Sequence, residues 1–109
     1  IQRFTPDGAF AGQFGRQGDA SGDFASPKGL AVDPDGRVYV VDALFDTVQI
    51  FDESGRLLLS FGQRGTGRGE LWLPNGLCIE DGTRIYVADA YNQRIQIFET
   101  VGPAQARVP

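Results

Sequence analysis

One phrase of this chain occurs twice. DALFDTVQIF covers residues 42–51, and DAYNQRIQIF covers residues 89–98. The offset between them is 47, and at that offset residues 1–47 align with 48–94 without a gap and with 15 identities. The shared positions favour residue types that a fold cannot easily exchange: Phe4/Phe51/Phe98, Phe14-Gly15/Phe61-Gly62, Gly18/Gly65, Gly22/Gly69, Pro27/Pro74, Tyr39-Val40/Tyr86-Val87 and Asp42-Ala43/Asp89-Ala90. A unit of this size cannot bury an apolar face alone. It has to stack on its neighbours, so the period dictates a repeat architecture.

Each unit reads as four short strands. Strand a is expected over 29–33 and 76–80, strand b over 37–42 and 84–89, strand c over 48–51 and 95–98, and strand d over 57–61. Between them lie DPDG, EDGT and DESG, whose Asp and Gly residues suit tight turns. The runs VYVV and LLLSF are apolar on both faces, as in sheets covered on both sides. No window holds a helical period, so the chain reads as all-β. Four antiparallel strands per repeat, stacked face to face, describe the blades of a β-propeller.

The run PKGLAVDPDGRVYVVDA, continued by PNGLCIEDGTRIYVADAYNQRIQIF, resembles NHL repeats, and its loop wording resembles bacterial six-bladed propellers. The most specific piece is D-x-x-N-x-R-I, carried by Asp89, Asn92, Arg94 and Ile95. The resemblance reaches from the start of the chain to about Glu99. It divides the 109 residues into a c–d hairpin with its connection (1–27), a full blade with its connection (28–73), strands a–c of the next blade (74–99) and a tail (100–109). The tail, with two prolines and few apolar residues, is a poor fourth strand.

Two repeats and a part do not close a ring. Either the missing blades belong to a longer polypeptide, of which this is a piece, or several copies of the chain complete the ring together. Three copies would give the six blades that the resemblance implies. The expected partner is therefore a second and third copy of the chain, with another protein on the loop face.

The b–c turns and the long d–a connections should share one face, and function on a repeat scaffold is expected there. Asp42 and Asp89 are expected to clamp the turns by accepting backbone N–H groups, helped in the second copy by Asn92 and Arg94. The first copy puts Phe45 and Thr47 where the second has Asn92 and Arg94. Its exposed apolar pair, Leu44 and Phe45, either packs under the connecting loop or contacts a partner. Trp72, the sole tryptophan, is either a plug between blades or a binding anchor, and Tyr91 could share its face. Arg64 and Arg68, in GQRGTGRGE, are either solvated loop charges or anchors for an anionic ligand or an acidic partner surface. The glycines of that loop recur in the first copy, and no Lys-Ser/Thr leading into a helix follows, so a phosphate loop is rejected. Cys78, matching Ala31, is expected as a small packed residue of the innermost strand.

The chain has no histidine, one cysteine and a net charge of −4. That removes a Ser-His-Asp triad and the usual zinc cages, and it weighs against a phosphate-backbone binder. Asp33, Asp35, Asp42 and Asp46 show no calcium-loop spacing. No cofactor and no metal are expected. The reading is a non-catalytic interaction or ligand-binding scaffold, favoured over a metal-dependent lyase or hydrolase and over an RNA binder, with no apolar run long enough for a membrane helix. Its compartment, bacterial periplasm or cytoplasm, is left open.

Overall fold

A computed structural model describes residues 1–81, 83–101 and 106–109. The chain is all-β. Strands β1 (Gln2–Phe4) and β2 (Phe10–Gln13) form a hairpin. Strands β3 (Pro27–Val32), β4 (Val38–Asp42), β5 (Thr47–Phe51) and β6 (Leu57–Phe61) form a four-stranded antiparallel sheet in sequence order. Strands β7 (Gly76–Glu80), β8 (Arg84–Asp89), β9 (Arg94–Thr100) and β10 (Ala106–Arg107) form a second sheet of the same order. The three layers stack as successive blades and do not close into a ring.

The expected strands fall where the repeat puts them, to within two residues. The turns follow from their aspartates. Asp33 accepts the backbone N–H groups of Asp35 and Arg37, and Asp52 accepts those of Ser54 and Arg56, at 2.9–3.0 Å. The tail departs from expectation in one respect. Ala106 and Arg107 pair with Thr100 and Glu99, so a two-residue strand takes the fourth place of the second sheet. Residues 102–105 of the tail, and Gly82 of the EDGT turn, lie outside the described residues.

The core consists of one interface made twice. On one face of the first sheet, Phe24, Val38, Val40 and Phe51 pack with Ile1, Phe14 and Leu57. On its other face, Tyr39, Val41, Val48 and Ile50 pack with Leu71 of the connection between β6 and β7 and with Ile85, Val87 and Phe98 of the second sheet. Adding 47 to Phe24, Val38, Val40 and Phe51 gives Leu71, Ile85, Val87 and Phe98. Ile1 and Phe14 likewise become Val48 and Phe61. Side chains alternate across each strand, so the even residues of β4 face one neighbour and the odd residues the other. That is why VYVVD is buried throughout. Each fully buried aliphatic or aromatic side chain stabilises the stack by about 1.5–3 kcal/mol.

The innermost strands β3 and β7 approach closely. A β-carbon on Gly29 would stand 3.0 Å from the Gly76 Cα, so β3 needs glycine where the strands meet, whereas one on Gly76 would meet open space. Cys78 corrects the expectation of a packed small residue: it is exposed. It alternates with Leu77 and Ile79, which pack against the second core, and so points to the face that no blade of this chain covers.

Two faces of the stack are open. In the second sheet, Tyr86, Ala88, Ile95 and Ile97 are the counterparts of Tyr39, Val41, Val48 and Ile50. Val48 is 0% exposed and Ile95 is 63% exposed. At the other end, Phe4 and Phe10 meet edge to face at 5.9 Å and are mostly exposed. Their counterparts Phe51 and Leu57 lie in the first core.

Candidate functional site

The b–c turns and d–a connections do share one end of the stack, because a buried aspartate ties them together. At the end of β8, Asp89 is fully buried. It accepts the backbone N–H of Trp72 at 2.7 Å, the Asn92 amide at 2.9 Å and the Arg94 Nε at 2.8 Å. Arg94 then donates to the carbonyls of Thr66, Gly67 and Glu70 at 2.8–3.0 Å, and Asn92 to that of Gly65 at 2.9 Å. The guanidinium, held on the turn of one strand pair, thus organises the whole connection before β7.

Asp42, at the end of β4, does the same work with backbone donors only. It accepts the N–H groups of Ala25, Ser26, Leu44 and Phe45 at 2.8–3.1 Å. Four N–H groups can stabilise a buried carboxylate without a cation. The expected clamp residues, Asp42, Asp89, Asn92 and Arg94, are therefore brought together as two clamps of different make.

Sequence reasoning missed two parts of the clamp. Gln49 and Gln96, shared by both copies, donate to the carbonyls of Asp23 and Glu70 and accept from Gly22 and Gly69. Their recurrence in VQIF and IQIF was the available signal. Asp46 has a positive φ of 56° and is buried, and it accepts the Leu73 N–H at 2.8 Å and the Arg64 Nε at 3.0 Å. It joins the turn of one blade to the connection into the next.

Arg64 and Arg68, expected as solvated loop charges or partner anchors, are engaged within the chain. Arg64 pairs with Asp46 and lies 5.7 Å from the centre of the Trp72 ring. Arg68 donates to the carbonyls of Val108 and Pro109. Trp72 is half-buried but belongs to neither core; Leu71 beside it is the plug between the sheets. Trp72 stacks on Tyr91 at 4.6 Å and 24°, and the Tyr91 N–H bonds the Trp72 carbonyl. Tyr91 is exposed, and Leu44, its counterpart, is exposed as well. Phe45 is half-buried and lines a cleft of about 170 Å³ with Asp19, Ala20, Ser21, Asp23, Thr47, Gln49 and Ser60.

The four aspartates weighed for calcium divide between the two ends of the stack. Asp33 and Asp35 bind Arg37 at the a–b turn, and Asp42 and Asp46 lie at the opposite end of β4. Among the described residues, no group of three or more histidine, cysteine, aspartate or glutamate side chains is arranged to hold a metal ion. Among the described residues, no helix is long and apolar enough to cross a membrane.

The clamps set the response to acid. Burial pushes the Asp89 carboxyl up. Hydrogen bonds from Asn92, the Trp72 N–H and Arg94 outweigh that, and its pKa lies below the ordinary 3.8. Asp33 shows the same balance, with burial opposed by Arg37 and Tyr39. Burial, followed by the bond to Asp33, pushes the Tyr39 hydroxyl to about 12. A depressed carboxyl stabilises the fold above its unfolded value and loses that contribution as pH falls through its folded value. The melting temperature is therefore expected to be flat from about pH 5 to 7 and to fall below about pH 4. Asp33→Asn, which removes one such carboxyl, is expected to make this fall shallower; an equally steep fall in the variant would contradict this account.

Comparison with known proteins bears on the stack and the clamps together. A family model described as NHL repeat matches residues 24–51 and 71–98, together about half the chain and themselves 47 residues apart. Each match spans one buried interface and one aspartate clamp. Protein lin-41 of Caenorhabditis elegans is similar over 45 residues at 42% identity. The similar stretch is 41% of this chain and 4% of that protein.

Proposed function

Because this chain belongs to the NHL-repeat family, we propose that it is a non-catalytic interaction scaffold whose blades pack on further blades to finish a six-bladed ring of about three copies. One observation carries the reading. The open face of the second sheet has apolar and aromatic residues in the same places as a face that is covered one blade earlier. Ile95 and Ile97, with Tyr86 beside them, match the buried Val48, Ile50 and Tyr39. For three copies to make six blades, the hairpin of the next copy would join the edge of the second sheet in place of β10, and that copy's first sheet would cover this face, as Leu71, Ile85, Val87 and Phe98 cover the first sheet within the chain. The finished ring would present the b–c turns and d–a connections to a protein partner, with Trp72 and Tyr91 as its aromatic anchors and Leu44, Phe45, Arg64 and Arg68 around them.

Light scattering coupled to size exclusion tests this. The expected mass is about three times 11.8 kDa over a range of concentrations. Ile95→Asp is expected to return the mass to that of one chain while leaving the strand signal in circular dichroism intact, since the residue lies outside both cores. A wild-type monomer would overturn self-assembly. It would favour the reading in which blades of a longer polypeptide cover the open faces, which the small share of the nematode relative that this chain spans, 4%, already supports.

A further inference from the structure

The first repeat contains the place of an arginine without the arginine. In the second repeat the Arg94 guanidinium fills the space between the b–c turn and the connecting loop, bonded to the carbonyls of Thr66, Gly67 and Glu70. One repeat earlier these three residues are Asp19, Ala20 and Asp23, and Arg94 is Thr47. The loop that would receive the guanidinium keeps its shape. The Asp23 N–H bonds the Ala20 carbonyl at 2.9 Å, as the Glu70 N–H bonds that of Gly67 at 3.1 Å. The Phe24 N–H bonds the Arg16 carbonyl at 2.8 Å, as the Leu71 N–H bonds that of Gln63 at 2.8 Å. Ala20 N–H donates to the Asp23 carboxylate as Gly67 N–H donates to that of Glu70. Thr47 is too short to fill the gap, and the cleft of about 170 Å³ stands there instead.

The lining has the chemistry of the missing group. Asp19 stands where the second repeat has an uncharged threonine, so this loop carries two carboxylates, Asp19 and Asp23, against one. Arg16 reaches Asp23 from the solvent side. Phe45 offers a ring face on which a guanidinium can stack. Asp42, paired in register with Thr47, is a fully buried carboxylate held, among the described residues, by backbone N–H groups alone, whereas Asp89 has Arg94.

We infer that this cleft is a binding site for a guanidinium group, supplied by an arginine side chain of a partner protein. The guanidinium would donate to the carbonyls of Asp19, Ala20 and Asp23 and take its counter-charge from the two loop carboxylates, as a planar fork of donors can and an ammonium cannot. The inference deepens the scaffold reading and rests on it for the partner being a protein; the guanidinium chemistry rests on the internal comparison alone.

The test is a titration of the isotope-labelled chain with N-acetyl-arginine N-methylamide, followed by the amide signals of Asp19 to Asp23 and Thr47. Saturable shifts confined to these residues are expected. The citrulline analogue, neutral and of the same shape, should give none. The double variant Phe45→Asn, Thr47→Arg should fill the site from within and weaken binding at least about 10-fold; should it fail to fold, Asp19→Asn, at an exposed position, should weaken binding by a smaller factor. No saturable shift, or equal shifts with citrulline, would overturn the site. A capped peptide with arginine between apolar residues should bind more tightly than the single amino acid. Equal affinity would overturn the assignment to a protein partner, independently of whether the ring assembles.

Discussion

Asp89→Ala is expected to remove a large part of the stability of the chain. The carboxylate is fully buried and takes bonds from Trp72, Asn92 and Arg94. Its loss strands a partly buried guanidinium and an N–H group, and breaking a buried pair in this way costs about 3–5 kcal/mol. Domains of this size have about 5–15 kcal/mol in total. Urea unfolding followed by the fluorescence of Trp72 measures the loss directly, since the chain has no other tryptophan. Asn92→Ala, which removes two hydrogen bonds from a half-buried amide, should cost about 1–2 kcal/mol. A loss below about 1 kcal/mol for Asp89→Ala would mean that the connection before β7 is held by its own turns and that the clamp is incidental.

The second large effect is a contrast between two phenylalanines at one position of the repeat. Phe51→Ala should cost about 3–5 kcal/mol. Its ring is 1% exposed and packs on Phe14 and Phe24 with centroids at 4.9 and 5.6 Å. Phe4→Ala, its counterpart, removes a ring that is 57% exposed in the single chain. In a monomer it should cost below about 1 kcal/mol. In an assembled ring it should behave like Phe51→Ala and weaken association. Thermal melts of both variants at two protein concentrations separate the cases. Equal small effects would show that the inner core does not depend on the aromatic ring that the repeat preserves.

The fold was legible because the repeat writes it twice. A strand boundary that is ambiguous in one copy is fixed by the other, and the two cores follow from the same spacing. What escaped was whatever the repeat does not share. Asp46 has glutamine as its counterpart, so nothing marked it as the residue that ties one blade to the next connection. The arginines of the second loop read as free charges because their partners, Asp46 and the chain's last carbonyls, lie far off in sequence. Cys78 read as packed because Ala31, its counterpart, suggested a tight place; its exposure depends on a neighbouring blade that sequence periodicity alone cannot place. The clamp was legible in its charged members, Asp89 and Arg94, and silent in its amides, since Gln49 and Gln96 look like ordinary polar strand residues until their loops are in view. Trp72 and Tyr91 were placed on one face, and they do stack there, but the tryptophan was weighed as a plug when the adjacent Leu71 fills that place.

The recurrence of one contact at a fixed interval has a consequence for how such a chain comes apart and how it grows. Its stability is a sum over units and over junctions between nearest neighbours, as in a one-dimensional array. The middle sheet is held from both sides and the outer layers from one. Unravelling therefore starts at the ends and moves inward, and amide exchange along the chain should form a gradient with its slowest sites in β4 and β5. Lengthening the array by a unit adds one more junction and demands no new architecture. A single substitution that tightens the junction is then copied with every duplication, so selection acting on one blade is amplified through all of its descendants.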